Sequence, residues 1–329
     1  MNIEGDLGVL AEICERAVRL KTGGAKEALP RPWLLGPSGT ARGVYFASQL
    51  VALSKRGLMQ GFCGAHTVSV ASPLFAYALT GHADWGLHIC THHAQHYLSQ
   101  KLSDLKKGAA LSVTYLEGLF RGAIAGMPFN QEAFQANGTA HKIAVTRADT
   151  GEGELLDGHR LTDVIAGLCA SLAAPVFSHG RVQVGPHEYL DGEVGCPLPA
   201  RAVFEQPNPP SSLLVLANGP RTRGDEDPGY SRIKPLYERL PLPVRRAIER
   251  QSLVFHDELA YLRERMHEHA EYGTGPKILI IWTGDEDSVG TTVGRLETDP
   301  TLLHLAGEEA GAHLGALLNA AMIEAQAAV

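Results

Sequence analysis

The chain has no apolar run approaching the ~18 residues that a membrane-spanning helix needs, no Cys-x-x-Cys pair and no excess of positive charge. Each absence excludes something. No transmembrane segment is expected, which leaves peripheral contact as the way to reach a membrane surface. The five cysteines, Cys14, Cys63, Cys90, Cys169 and Cys196, are widely spaced, which points to reduced thiols in a cytoplasmic protein rather than a disulfide framework. A formal net charge of −7 argues against nonspecific nucleic-acid binding, because phosphate contacts need a surplus of Lys and Arg. The first twenty residues mix acidic and basic side chains and lack the apolar core of a signal peptide.

What is present is enough for a large core. The chain has 329 residues, 44% of them hydrophobic, which suits one α/β domain or one domain with a cap. Pro32-Trp33-Leu34-Leu35 is a short apolar run that breaks into Gly36-Pro37-Ser38-Gly39-Thr40-Ala41-Arg42-Gly43. A helical pattern follows (Val44, Phe46, Ala47, Leu50, Val51, Leu53), and Gly57 stops it. Phe62-Cys63 then leads into Gly64-Ala65-His66-Thr67-Val68, read as a sharp turn, and a second apolar helix is expected from Thr67 through Leu79. Ser212–Ala217 and Lys277–Trp282 read as strands buried on both faces. Strands alternating with helices predict a three-layer α/β/α sandwich with a mostly parallel central sheet.

The order strand, glycine-rich loop, helix, strand, turn, helix is the one that acyl hydrolases use to set a nucleophile beside backbone N–H donors. In detail the chain resembles the patatin-like phospholipases. That family carries Gly-Gly-Gly-x-Arg-Gly as an oxyanion loop, Gly-x-Ser-x-Gly as a nucleophile elbow, and Asp-Gly-Gly as the second half of a Ser–Asp dyad. Here the loop reads Ser38-Gly39-Thr40-Ala41-Arg42-Gly43, the elbow Gly64-Ala65-His66-Thr67-Val68 and the dyad segment Asp191-Gly192-Glu193. Ala170–Phe177 is similar to the family's stretch before the aspartate, Pro197-Leu198-Pro199 to the run after it, and Gly307–Leu317 to a terminal helix. The resemblance implies a patatin-like domain over 30–329 with cap-like helical segments around 82–127 and 218–274, preceded by an N-terminal helical extension at 1–29.

With histidine in the elbow, the aligned site has no serine nucleophile. The reading favoured by the residues is a repurposed enzyme in which His66 and Asp191 form a proton-transfer pair. The reaction would be a cyclisation, elimination or isomerisation of a small or medium substrate, with Ser38, Gly39, Thr40, Arg42 and Gly43 as a residual oxyanion loop. No metal or organic cofactor is expected. Two alternatives stand beside it. One is a lipid acyl hydrolase or acyltransferase with an atypical nucleophile: Ser69 or Ser72 inside the expected helix, Ser38 approached by His66, or Cys63. The other is a pseudoenzyme that binds an acyl or lipid-like ligand.

A second constellation is His82, His88, His92, His93 and His96. His88, His92 and His96 fall at i, i+4 and i+8, one face of a helix. No carboxylate or cysteine joins them at a familiar metal spacing, so they read as a polar stripe, with His92 and His96 as candidate pocket residues beside Ser69. Residues 230–272 mix arginines with glutamates and read as a solvated helix pair whose Leu253, Phe255, Leu259 and Leu262 face the core.

Overall fold

Alternate residues along the buried strands feed two separate apolar layers, and this alternation organises the molecule. The computed structural model describes residues 2–24, 29–178, 180–219, 236–283, 293 and 297–327. Nine strands form one sheet: β1 (Asn2–Gly5), β2 (Pro32–Gly36), β3 (Gly64–Val68), β4 (Ala140–Arg147), β5 (Gly153–Asp157), β6 (Val182–Val184), β7 (His187–Asp191), β8 (Ser212–Ala217) and β9 (Lys277–Trp282). Their order is β1-β9-β8-β2-β3-β4-β7-β6, with β5 paired to β4. The central run β9-β8-β2-β3-β4 is parallel. Antiparallel strands complete the edges.

Leu34, Ala65, Ile143, Val145, Leu214 and Ile281 face one layer. There they meet α1 (Gly8–Lys21), α2 (Gly43–Lys55), α3 (Ala71–Leu79), α4 (Ala83–His92), the helix Val164–Leu172 and the C-terminal helix Pro300–Ala327. Trp33, Leu35, Leu213, Val215, Ile280 and Trp282 face the other, against Phe255, Leu259 and Leu262 of the long helix Leu242–Tyr272. Strands this apolar on both faces are what a parallel sheet covered by helices requires. The three-layer α/β/α architecture is therefore present.

Three expectations change. The segment 1–29 holds the expected helix, α1, but is not an extension of the domain: Asn2–Gly5 pairs antiparallel with β9, and Val9, Leu10, Ile13 and Cys14 of α1 are buried in the main core. Strand β9 would otherwise end the sheet with unpaired backbone groups, and β1 supplies them with partners. The segment 82–127 is not set off as a cap: Ile89, Cys90, Tyr97, Leu111, Leu119 and Phe120 all belong to that same core. Of the segment 218–274, residues 220–235, including Arg232 and Lys234, lie outside the described residues. The long helix that follows covers the sheet, burying Phe255, Leu259 and Leu262 but leaving Leu253 exposed.

Candidate functional site

The sharp turn stands three residues later than the sequence motif suggested. Gly64 to Val68 is strand β3 itself, fully buried. The turn is at Ser69, whose φ of 55° lies in the left-handed region, and α3 begins at Ala71. A serine held in that region is strained by about 1–3 kcal/mol, a state that surrounding structure must enforce. Gly64, read above as the elbow glycine, has a different task. A Cβ there would stand 2.6 Å from the Trp33 indole, so glycine is needed for ring packing between β2 and β3.

His66 is consequently a strand residue, in register with Leu35 on β2. Its side chain faces the layer of Trp33 and the long helix. The Nδ1–H donates to the Pro199 carbonyl at 3.3 Å, and the Trp33 ring meets it edge-on at 5.4 Å. Burial is the main cause that lowers its pKa to about 4, and Lys142 on the neighbouring strand adds to it. His66 is a neutral core residue, and it makes no hydrogen bond to Asp191.

Asp191 instead meets Ser69. The Ser69 hydroxyl donates to Asp191 Oδ2 at 2.7 Å, and both residues are almost wholly buried. Asp191 Oδ1 accepts the Glu193 amide at 2.8 Å, which caps the short helix Gly192–Gly195. Its carbonyl accepts the Thr146 hydroxyl at 2.7 Å, and Thr146 Oγ1 in turn accepts the Gly195 amide. Gly192 is required by proximity: a Cβ there would lie 2.3 Å from the Ala144 carbonyl oxygen.

A chain of buried hydroxyls holds the turn from behind. His141 Nε2 lies 2.7 Å from Thr67 Oγ1, which donates to Ser72 Oγ at 3.0 Å. Ser72 Oγ lies 3.0 Å from Ser171 Oγ. Ser171 accepts the Ser69 amide at 2.9 Å and donates to the Ala144 carbonyl at 2.8 Å. With each hydroxyl donating once, the chain runs in one direction from His141 to Ala144. Such networks gain from a low local dielectric only when every member is satisfied. Here one atom is not, since His141 Nδ1 is buried without a partner among the described residues.

The glycine-rich loop lies beside this turn, because β2 and β3 are adjacent. Thr40 has a φ of 51°. Among the described residues the amides of Gly39 and Thr40 donate to no protein acceptor. Asn218, at the end of β8, shapes the loop: its Nδ2 donates to the Pro37 carbonyl at 2.8 Å, and a Cβ on Gly39 would meet its Cβ at 2.7 Å. Gly43 approaches the elbow so closely that a Cβ would be 2.7 Å from Val70 Cγ2. Two amides without a protein acceptor among the described residues, on a loop next to a turn whose hydroxyl donates to a carboxylate, are groups that acyl transfer can use.

No protein-family model matches the chain, and no curated protein matches it significantly. Solved structures do. Human GIVD cytosolic phospholipase A2 superposes with a TM-score of 0.52 at 12% identity, covering 97% of this chain and 63% of that one. The fold is the patatin-like phospholipase fold. The same human enzyme with methyl gamma-linolenyl fluorophosphonate gives 0.47 at 11% identity, over 97% and 63% of the two chains. VipD from Legionella pneumophila gives 0.43 at 10%, over 88% and 67%. The chain thus spans about 63% of the length of the phospholipase chain it matches.

Within this phospholipase-like fold the remaining candidates separate. Ser38 donates from the loop to Glu193 Oε2 at 2.7 Å and is not approached by His66. Arg42 Nε donates to the Val293 carbonyl at 2.8 Å. Ser72 belongs to the hydroxyl chain. His92 and His96 are exposed. The helix breaks after His92, so the expected single stripe divides: His88 and His92 stack at 4.2 Å, whereas His96 stacks on Tyr115 at 5.6 Å. None of these rings contacts Ser69 or Asp191. Among the described residues no group of three His, Cys, Asp or Glu is placed to hold a metal.

Sequence reasoning missed Asn218, Ser171, Thr67 and Glu193 as site residues. For Ser69 itself a signal existed. Pro73 fits only the first turn of a helix, which sets the start of α3 near Ala71 and leaves Ser69 in the turn.

Proposed function

We propose that the protein is an acyl hydrolase or acyltransferase acting on a lipid-like ester, with Ser69 as nucleophile and Asp191 as its base. The observation that carries this reading is the 2.7 Å hydrogen bond from Ser69 Oγ, at a left-handed turn, to Asp191 Oδ2. Ser69 Oγ attacks the ester carbonyl carbon and its proton passes to Asp191. The amides of Gly39 and Thr40 receive the negative charge that forms on the carbonyl oxygen. Collapse breaks the bond to the alkoxide, which leaves as an alcohol with the proton from Asp191. Water then attacks the acyl-Ser69 carbon and gives a proton to Asp191. The ester bond to Ser69 breaks, the proton returns to Ser69, and a carboxylic acid is released. An alcohol in place of water gives a transferred ester.

The proton-transfer role favoured for His66 finds no support in its position. It is buried on the face of the sheet lined by Trp33, bonded to a backbone carbonyl and far below neutrality in pKa. The test is covalent labelling with an alkyl fluorophosphonate, read by mass spectrometry of the tryptic peptide. Wild type is expected to carry one adduct on Ser69 and Ser69→Ala none. An adduct on another residue, or none on wild type, overturns the reading.

A further inference from the structure

We propose that Ser38 and Glu193 form a latch that positions the oxyanion loop over the nucleophile. The inference rests on the acyl-transfer reading and adds a positioning pair to it.

The two residues connect loops that the sheet keeps apart. Ser38 follows β2 and Glu193 follows β7, with β3 and β4 between them. The Ser38 hydroxyl spans that gap, donating to Glu193 Oε2 at 2.7 Å. The Glu193 amide donates to Asp191 Oδ1, and the other oxygen of Asp191 accepts from Ser69. A continuous chain results: nucleophile, base, Glu193, Ser38 and then, along the backbone, Gly39 and Thr40. The remaining supports of the loop come from elsewhere, through Asn218 at Pro37 and Gly39 and through Arg42 on Val293. The Ser38 side chain ties the loop to the turn that carries the base.

Both ends of the latch are departures from the motifs that the chain resembles, since a glycine stands at each position there. Glycine makes no side-chain bond, so the two replacements supply one interaction together. A reason for it lies next door. Thr40 holds a φ of 51°, a conformation that a β-branched residue leaves unless its surroundings enforce it. A hydrogen bond to a carboxylate is stronger than one between neutral groups. Fixing Ser38 two residues earlier in the chain restrains Thr40 and thereby the direction of its amide.

The experiment is steady-state hydrolysis of p-nitrophenyl esters by Ser38→Ala, Glu193→Ala, their double variant, Glu193→Gln and Ser69→Ala, each checked by thermal melting. Each single alanine variant is expected to lose about tenfold in kcat with KM almost unchanged, as for one charge-assisted hydrogen bond. The double variant is expected to fall no further than the worse single, because both remove the same bond. Glu193→Gln keeps an acceptor oxygen and is expected to retain most activity, which also covers the case in which an alanine variant fails to fold. Losses that multiply in the double variant, an effect confined to KM, or wild-type kcat in both singles would overturn the latch. Full activity in Ser69→Ala would instead overturn the acyl-transfer reading, so the two failures are distinguishable.

Discussion

His66 donates its Nδ1–H to the carbonyl oxygen of Pro199, 3.3 Å away, on the face of β3 opposite to the one used by Thr67. That orientation separates it from the turn, because neighbouring residues of a strand point to opposite faces. Thr67 belongs to the hydroxyl chain behind Ser69 and His66 does not.

Replacing His66 therefore tests packing rather than chemistry. His66→Phe is expected to keep ester hydrolysis within about threefold of wild type, since it touches none of the reacting atoms. A serine placed at 66 is expected to rescue nothing: Ser69→Ala/His66→Ser stays inactive. Recovery of turnover in that double variant would return the nucleophile to position 66.

Asp191→Asn separates the base from the turn. Asparagine retains an oxygen to accept the Glu193 amide now bound at 2.8 Å, and it caps a helix as well as aspartate. It cannot take the Ser69 proton. A fall of about 10²–10⁴-fold in kcat is expected from loss of a general base, with a melting temperature close to wild type. Asp191→Ala is expected to lose the activity and in addition about 1 kcal/mol of stability from the missing cap.

How much of this was legible in the sequence differs between the two halves of the site. Asp191 was legible because Asp191-Gly192 keeps the spelling of the dyad motif that the chain resembles, and the glycine is kept for space, since a Cβ at 192 would collide with the Ala144 carbonyl of β4. Ser69 was marked only indirectly, by Pro73 in the helix that follows, because the glycines that usually mark an elbow are absent around it. Thr67 and Ala71 occupy the flanking positions. The room comes from Gly36, on the neighbouring strand, where a Cβ would stand 3.0 Å from Ala71 Cβ. A glycine contributed by another strand leaves no local signature, whereas Gly64, kept for the Trp33 ring, imitates one. The layers of the sandwich were legible from strands apolar on both faces. Strand β1 was not, since four residues carry too little periodicity to register.

Gly43 offers a test of contact between loop and elbow. Gly43→Ala drives a methyl group to 2.7 Å from Val70 Cγ2, and such overpacking typically costs about 1–3 kcal/mol. Val70 directly follows Ser69, so activity is expected to fall along with the melting temperature. Gly43→Ala/Val70→Ala removes the clashing carbons and is expected to recover much of both. Additive losses in the double variant would show that the two positions do not compete for the same space.

Two buried histidines make the fold sensitive to mild acid. Burial lowers the pKa of His66 to about 4 and that of His141 to about 3, below the ordinary value of 6.5. The unfolded chain therefore takes up protons before the folded one does. Their contribution to stability is complete above pH 6.5 and is lost as pH falls toward 4 for His66 and 3 for His141. Each is expected to remove about 2 kcal/mol by pH 5. The variant that isolates this effect is His141→Gln, in which the side-chain amide still donates to Thr67 Oγ1 while nothing titrates. Urea midpoints measured from pH 8 to pH 5 are expected to fall less steeply for His141→Gln than for wild type. Parallel curves for the two proteins would mean that His141 titrates in the folded state as it does in the unfolded chain, so that by pH 5 a charge would stand at the back of the Ser69 turn.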